Sequence, residues 1–369
     1  MTRDVYYIAG YDPRGFRFYY SLFKKNLCLH GKKQEFELSK VQIKGFEAFW
    51  SIENKDCKTN YTFLAWNDIV KDNWHKGIFS ILKDCLSFFK IYIITGLFIK
   101  FAKACKPTLV AGFYSFFYVL LSYLLVFFIL YLTFSFISAF THASVAVLFS
   151  LLVLYLATKL ILKIGNKTAA FWLGRICIFC SSYSQGRIER IDERVAHFVN
   201  IIYEKLKMNA EKKDYELIIC SHSVGTILAI TVIARLIKLC LKEKINTKAL
   251  KILTLGECVP LMSYHKKSDE FRQDLNFLAQ QENLFWLDFT SKIDGACFYK
   301  FNFLGQFKCQ AYFLSTKFYK LYNKQNYAKI RKDKYKTHFL YLMASEISGE
   351  YDFFNFTIAS NFLENKIIR

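Results

Sequence analysis

The segment Leu217–Thr226, LIICSHSVGT, holds a serine in the local setting that nucleophilic chemistry requires. Leu217–Ser221 reads as a buried strand, His222–Gly225 as a turn, and TILAITVIARLI from Thr226 as an apolar helix. A serine on such a sharp strand-to-helix turn has its Oγ lifted clear of the backbone, the arrangement of the G-x-S-x-G elbow. Small residues flank it because strand and helix crowd together there. The first small position is Ser221 instead of glycine, so the string is S-H-S-V-G. A serine hydroxyl attacks only when a base removes its proton, and that base needs a third group to hold its tautomer.

Elbows of this kind place the partners in the chain order serine, acid, histidine. Two histidines follow Ser223. His265 lies in the polar stretch SYHKKSDE, with little chain before it for an acid, whereas His338 in YKTHFLYLMA reads as opening an apolar helical run. His338 is the expected base. Asp294 in TSKIDGACF follows the candidate strand NLFWLDF, and loops at the carboxyl ends of parallel strands are where such sheets assemble sites. It is the expected acid, with Asp288 inside that strand and Glu257 after the preceding one as alternatives. An oxyanion needs backbone N–H donors. Val224, next to the serine, supplies one, and Tyr11 in the glycine-containing loop AGYDPRG (Ala9–Gly15) is the candidate for the other. Asp12 and Arg14 either brace that loop as an ion pair or contact substrate. This chemistry needs no metal and no organic cofactor. Cys177 and Cys180 form a lone C-x-x-C with no second pair to complete a zinc site, and the eleven cysteines are expected to be reduced thiols.

The elements that must position these residues alternate strand and helix. Val5–Ala9, Val41–Ser51, Asn60–Trp66, Leu217–Ser221, Ala249–Gly256 and Asn283–Phe289 read as strands. FRFYYSLFKKNL, the amphipathic run from Ser184 to Asp214 and a segment near Ser268–Gln281 read as helices. Such alternation predicts an α/β fold with a mostly parallel sheet and helices on both faces.

Interrupting that pattern, Thr108–Thr158 contains no Lys, Arg, Asp or Glu. A bilayer-spanning helix takes roughly 20 apolar residues, so the run predicts two spans, about 110–134 and 142–163, turning near Ser135–Ala143. Lys100, Lys103 and Lys106 precede it, and Lys159, Lys163, Lys167 and Arg175 follow. Positive flanks on both sides place both ends in the cytoplasm. Residues 1–76 and 184–369 are therefore expected to form one domain, with 77–183 as an inserted membrane region. The part from Gly77 to about Ala104 reads as an interfacial helix or an ordinary lid helix. With no signal-peptide pattern in MTRDVYYIAG, the hairpin is the expected insertion signal. The net charge of +21 suits anionic lipid headgroups beside such spans, and no zinc-finger or RNA-reader pattern points to nucleic acid. Lysine-, asparagine- and phenylalanine-rich composition points to a low-GC bacterial source, hence a multi-pass inner-membrane protein.

The chain resembles the α/β-hydrolase superfamily, in particular its lipase- and esterase-like members. The resemblance covers Val5–Trp66 and Tyr215–Leu340. It rests on SHSVGT at Ser221–Thr226, LTLGECVPL at Leu253–Leu261, KIDG around Asp294, and Thr337-His338. Gly256-Glu257-Cys258 stands where lipase-like members often carry a Gly-Ser-Pro-like loop. The resemblance implies a Ser223–His338–Asp294 triad in a membrane-anchored serine hydrolase, cleaving acyl esters or thioesters of lipid-like substrates. An acyltransferase using the same acyl-enzyme, and a non-catalytic membrane scaffold of this fold, are the alternatives. Oligomeric state is left open.

Overall fold

The computed structural model describes residues 1–30, 36–75 and 77–366. Nine strands form one mixed sheet: β1 (Thr2–Ile8), β2 (Glu37–Leu38), β3 (Gln42–Lys44), β4 (Glu47–Glu53), β5 (Lys58–Leu64), β6 (Tyr215–His222), β7 (Leu250–Leu255), β8 (Phe285–Thr290) and β9 (Gln310–Ser315). Their spatial order is β2-β4-β5-β1-β6-β7-β8-β9, with β3 paired to β4. Neighbours from β5 through β9 are parallel, while β4 runs antiparallel to β5, β2 and β3. Every residue of β6, β7 and β8 is buried, as expected of central parallel strands covered on both faces.

Successive strand side chains point to opposite faces. On one face Val5, Tyr7, Ile218, Cys220, Leu253, Leu255, Leu287 and Phe289 share a core with Tyr19, Phe23 and Leu27 of the helix Phe16–His30, and with Phe353, Phe354 and Phe356 of the helix Phe353–Ile358. The helix Gly225–Lys242 packs on β1 and β6 and against the helices Ile191–Asn209 and Asp269–Ala279. All but a few residues of Gly225–Lys242 are buried, which explains its nearly unbroken apolar sequence. Buried Arg3 and Glu216 pair at 2.7 Å across β1 and β6, so neither charge is left alone in the core.

Several elements differ from the sequence reading. Val41–Ser51 is not one strand but a hairpin, β3 and β4, turning at Gly45 with a left-handed φ of +58°. β2 and β9 are additional. The amphipathic helix begins only at Ile191, after a turn with Gly186 and Arg190 at positive φ. His338 does not open a helical run; it stands near the end of the short helix Lys334–Phe339.

The chain divides into two units, Met1–Trp74 with Cys180–Arg369, and His75–Phe179. The second contains the helices Lys106–Ser138 and Ala143–Lys167, of 33 and 25 residues, with mean hydropathy of 2.3 and 2.4 over their most apolar windows. Both are long and apolar enough to span a membrane, and both exceed the spans read from sequence. Only 6% and 11% of those windows are buried, leaving Leu124, Phe127, Phe128, Leu148 and Leu151 outward, an apolar surface that suits lipid contact. The hairpin closes on itself around Val119, Val126 and Ile161. The segment from Gly77 is not one helix: Ile78–Ile94 and Leu97–Ala104 meet at 77°, at Gly96 with φ +68°. Asp84 and Arg175 pair at 2.7 Å within this unit.

Candidate active site

Ser223 occupies the turn between β6 and the helix Gly225–Lys242 with φ +57°, a left-handed conformation that is costly for a residue with a Cβ. Neighbouring strands enforce it. The Ser223 amide donates to the Leu255 carbonyl at the end of β7 (2.9 Å), and the Thr226 hydroxyl donates to the Ser223 carbonyl (2.6 Å). A Cβ at Gly225 would lie 2.4 Å from the Ala9 carbonyl oxygen and 2.5 Å from that of Ile8, so only glycine lets the helix start against β1. Ser221 lies opposite Ile8 of β1 and Thr254 of β7, a buried slot between two central strands.

The loop after β1 runs directly against the serine. A Cβ at Gly10 would come within 2.8 Å of Ser223 Cβ and 3.3 Å of its Oγ. Tyr11, the next residue, is buried, its ring stacked on Trp74 and its hydroxyl donating to the Asn73 carbonyl (2.7 Å). Asp12 and Arg14 brace the loop. The Arg14 guanidinium pairs with Asp12 at 2.8 Å, the Tyr19 hydroxyl donates to the same carboxylate at 2.9 Å, and Arg14 lies 3.7 Å above the Phe18 ring and 4.7 Å from that of Phe339. The loop is thus tied to the segment that carries His338.

Asp294 and His338 are in direct contact. His338 Nδ1 lies 3.0 and 2.9 Å from the two Asp294 carboxylate oxygens. The Ala296 amide donates to Oδ1 (3.0 Å) and the Tyr341 hydroxyl to Oδ2 (3.1 Å), which fixes the carboxylate plane. Burial by itself would raise the Asp294 pKa, but the adjacent His338 and the bonds from His338 and Ala296 hold it below the ordinary carboxylate value. Gly256, at φ +57°, opens the space: a Cβ there would meet Tyr341 at 2.9 Å and Asp294 Oδ2 at 3.2 Å. His222, one residue before the serine, touches His338 through its ring and Nε2. Ser223, Asp294 and His338 are 1%, 2% and 1% exposed, so the cluster is closed to bulk water.

The alternative residues stand apart from this contact. Asp288 accepts from the Thr254 hydroxyl (2.6 Å), and burial raises its pKa well above the ordinary carboxylate value, which favours the neutral form. Glu257 is buried and accepts the Val259 amide (2.7 Å). His265 is buried after the helix Pro260–Ser263, and burial lowers its pKa to about 4. Val224 directly follows Ser223 and is fully buried.

Sequence reasoning missed Tyr341, His222, Gly10 and Cys258 as members of the cluster. The Cys258 thiol lies 3.7 Å from Ser223 Oγ and donates to the Ala296 carbonyl (3.3 Å), and burial raises its pKa well above the usual value, so it is a neutral neighbour. Only Gly10 carried a signal, as the glycine following an apolar strand. Cys177 and Cys180 are both buried on the helix Ala170–Tyr183, and neither is in a disulfide among the described residues. Among the described residues no group of three or more His, Cys, Asp or Glu could hold a metal ion. Comparison of the chain with protein-family models, with curated proteins and with solved structures gave no match.

Proposed function

We propose that this chain is a membrane-anchored serine hydrolase of α/β-hydrolase type, cleaving acyl esters or thioesters, with lipid-like amphiphiles as the preferred class. One observation carries the reading: an ionised Asp294 grips His338 Nδ1, and the His338 ring packs on His222, one peptide bond from a serine held in a strained strand-to-helix turn. The residues follow in the order serine, acid, histidine.

In this mechanism Ser223 Oγ attacks the substrate carbonyl carbon while His338 Nε2 takes the hydroxyl proton. Asp294 accepts the Nδ1–H, holding the tautomer and stabilising the imidazolium. The Val224 and Tyr11 amides stabilise the oxyanion, and the close passage of Gly10 along Ser223 supports the choice of Tyr11. Collapse expels the alcohol or thiol, which receives the His338 proton, and water then repeats the sequence on the acyl-enzyme. In resting sites the nucleophile–base hydrogen bond is commonly loose and tightens with substrate. Lipid-like substrates are favoured because the two long apolar helices hold the chain where amphiphiles concentrate, and the basic flanks favour a cytoplasmic catalytic domain. The test is labelling with a fluorophosphonate probe. Wild-type protein should label at one site, and Ser223→Ala, with unchanged melting, should not. Equal labelling of both would end the reading.

A further inference from the structure

His222 closes β6 and is joined by one peptide bond to Ser223. Its ring packs against that of His338 with centroids 4.5 Å apart, and its Nε2 lies 2.9 Å from the His338 carbonyl oxygen. A carbonyl oxygen can only accept, so Nε2 carries the hydrogen and, in the neutral ring, Nδ1 carries the lone pair. Nδ1 is buried and has no hydrogen-bond partner among the described residues. Leaving a buried acceptor unsatisfied is unfavourable, and a phenylalanine or leucine would fill the same space without that cost. The compensating gain is the bond that Nε2–H makes.

That bond goes to a group that needs it. His338 lies in the last turn of the short helix Lys334–Phe339, where carbonyls have no partner within the helix. Burial, and secondly the proximity of His338, lower the His222 pKa to about 3. The ring therefore stays neutral, and a second cation does not oppose the imidazolium that forms on His338.

We propose that His222 is a positioning residue: through its Nε2–H bond to the His338 carbonyl and its ring against the His338 imidazole, it sets the distance between base and nucleophile. The proposal rests on the reading of Ser223, His338 and Asp294 as a triad. His222 is the one side chain that is covalently next to the nucleophile and hydrogen-bonded to the base's own backbone, so it couples two elements far apart in the chain.

The test compares His222→Gln, His222→Asn and His222→Phe in the full chain in detergent. The Gln amide nitrogen reaches about as far as Nε2, the Asn amide stops near the Nδ1 position, and Phe keeps the ring without a donor. Two quantities are measured: kcat and KM on a short p-nitrophenyl ester, and hydrogen exchange of the amides of residues 334–342. The Asn and Phe variants should lose roughly 10- to 100-fold in kcat with KM little changed, as a misplacement of about 1 Å does. Their 334–342 amides should exchange faster, and His222→Gln should restore both readouts to within a few-fold of wild type. Wild-type kcat and exchange in the Phe variant would overturn the proposal. So would a Gln variant no better than Asn, which would reduce His222 to a packing residue. If wild-type protein neither turns over ester nor labels at Ser223, the triad reading fails. The exchange comparison then still decides whether His222 anchors the 334–342 segment.

Discussion

Replacing Asp294 by asparagine perturbs the candidate site at one atom, and the local hydrogen bonds dictate how. The Ala296 amide donates to Oδ1 at 3.0 Å, so the oxygen of the new amide must occupy that position. The NH2 group then takes the place of Oδ2, facing His338 Nδ1 at 2.9 Å and the Tyr341 hydroxyl at 3.1 Å. Nδ1 lies 3.0 Å from the retained oxygen and 2.9 Å from the new NH2; where the NH2 donates to it, Nδ1 becomes an acceptor, which moves the imidazole proton to Nε2, where a base for Ser223 needs its lone pair. The fold should survive, because the variant is isosteric and the tyrosine hydroxyl can accept as well as donate. A wrong tautomer of this kind costs about four orders of magnitude in turnover, or about 5 kcal/mol of transition-state stabilisation. The assay is hydrolysis of a short p-nitrophenyl ester by detergent-solubilised protein, with melting temperature as the control for folding. Asp288→Asn provides the contrast: its carboxyl accepts from Thr254 and burial favours its neutral form, so turnover should change little. An Asp294→Asn enzyme that keeps more than about a tenth of wild-type activity, or a larger loss in Asp288→Asn, would refute the reasoning.

Gly225→Ala should destabilise the α/β unit by about 3 kcal/mol or more, because its Cβ would meet the backbone oxygens of Ala9 and Ile8 at 2.4 and 2.5 Å; the fall in melting temperature measures this. Acid should destabilise the protein below pH 6.5. His222 and His265 have pKa values lowered to about 3 and about 4, so the unfolded chain binds protons that the folded chain refuses. Each contributes up to about 1.4 kcal/mol per pH unit as pH falls, and His265→Gln should flatten the dependence of melting temperature on pH between 6.5 and 4. In a background without accessible thiols, a cysteine at Ser138 should react with an impermeant maleimide in intact cells, whereas one at Lys212 should react only after permeabilisation. The reverse would invert the proposed topology.

What could be read in the sequence were the features that a few neighbouring residues determine. The strand–turn–helix around Ser223 is local, and its left-handed turn follows from Gly225 and the small Ser221. The charge-free stretch is likewise a property of composition, although the helices run past its edges to Lys106 and Lys167 because lysine is itself a good helix former. The β3–β4 hairpin did leave a mark, the shift of apolar positions from Val41 and Ile43 to Phe46, Ala48 and Trp50 across Gly45, where the chain reverses with a left-handed φ. β9 is an edge strand whose residues are exposed or half-buried, although its centre, Ala311–Leu314, is an apolar run. Chain order and loop position already favoured Asp294 over Asp288 and Glu257, and the fold adds that Asp294 is the carboxylate that meets His338 Nδ1. Tyr341 and Cys258 join the cluster only through contacts between segments distant in sequence, and neither type nor spacing announced them.

The place of the apolar hairpin in the chain also sets a schedule. β1 pairs with β5 on one side and with β6 on the other. The first pairing can form early, but β6 emerges from the ribosome only after residues 65–214 have been made, a delay of roughly 8–30 s at ordinary elongation rates. Throughout that interval one edge of β1 keeps its N–H and C=O groups unpaired, and the Gly10 loop has no serine to press against. On the proposed reading, both anchoring helices are therefore synthesised, and available for insertion, before the nucleophile exists.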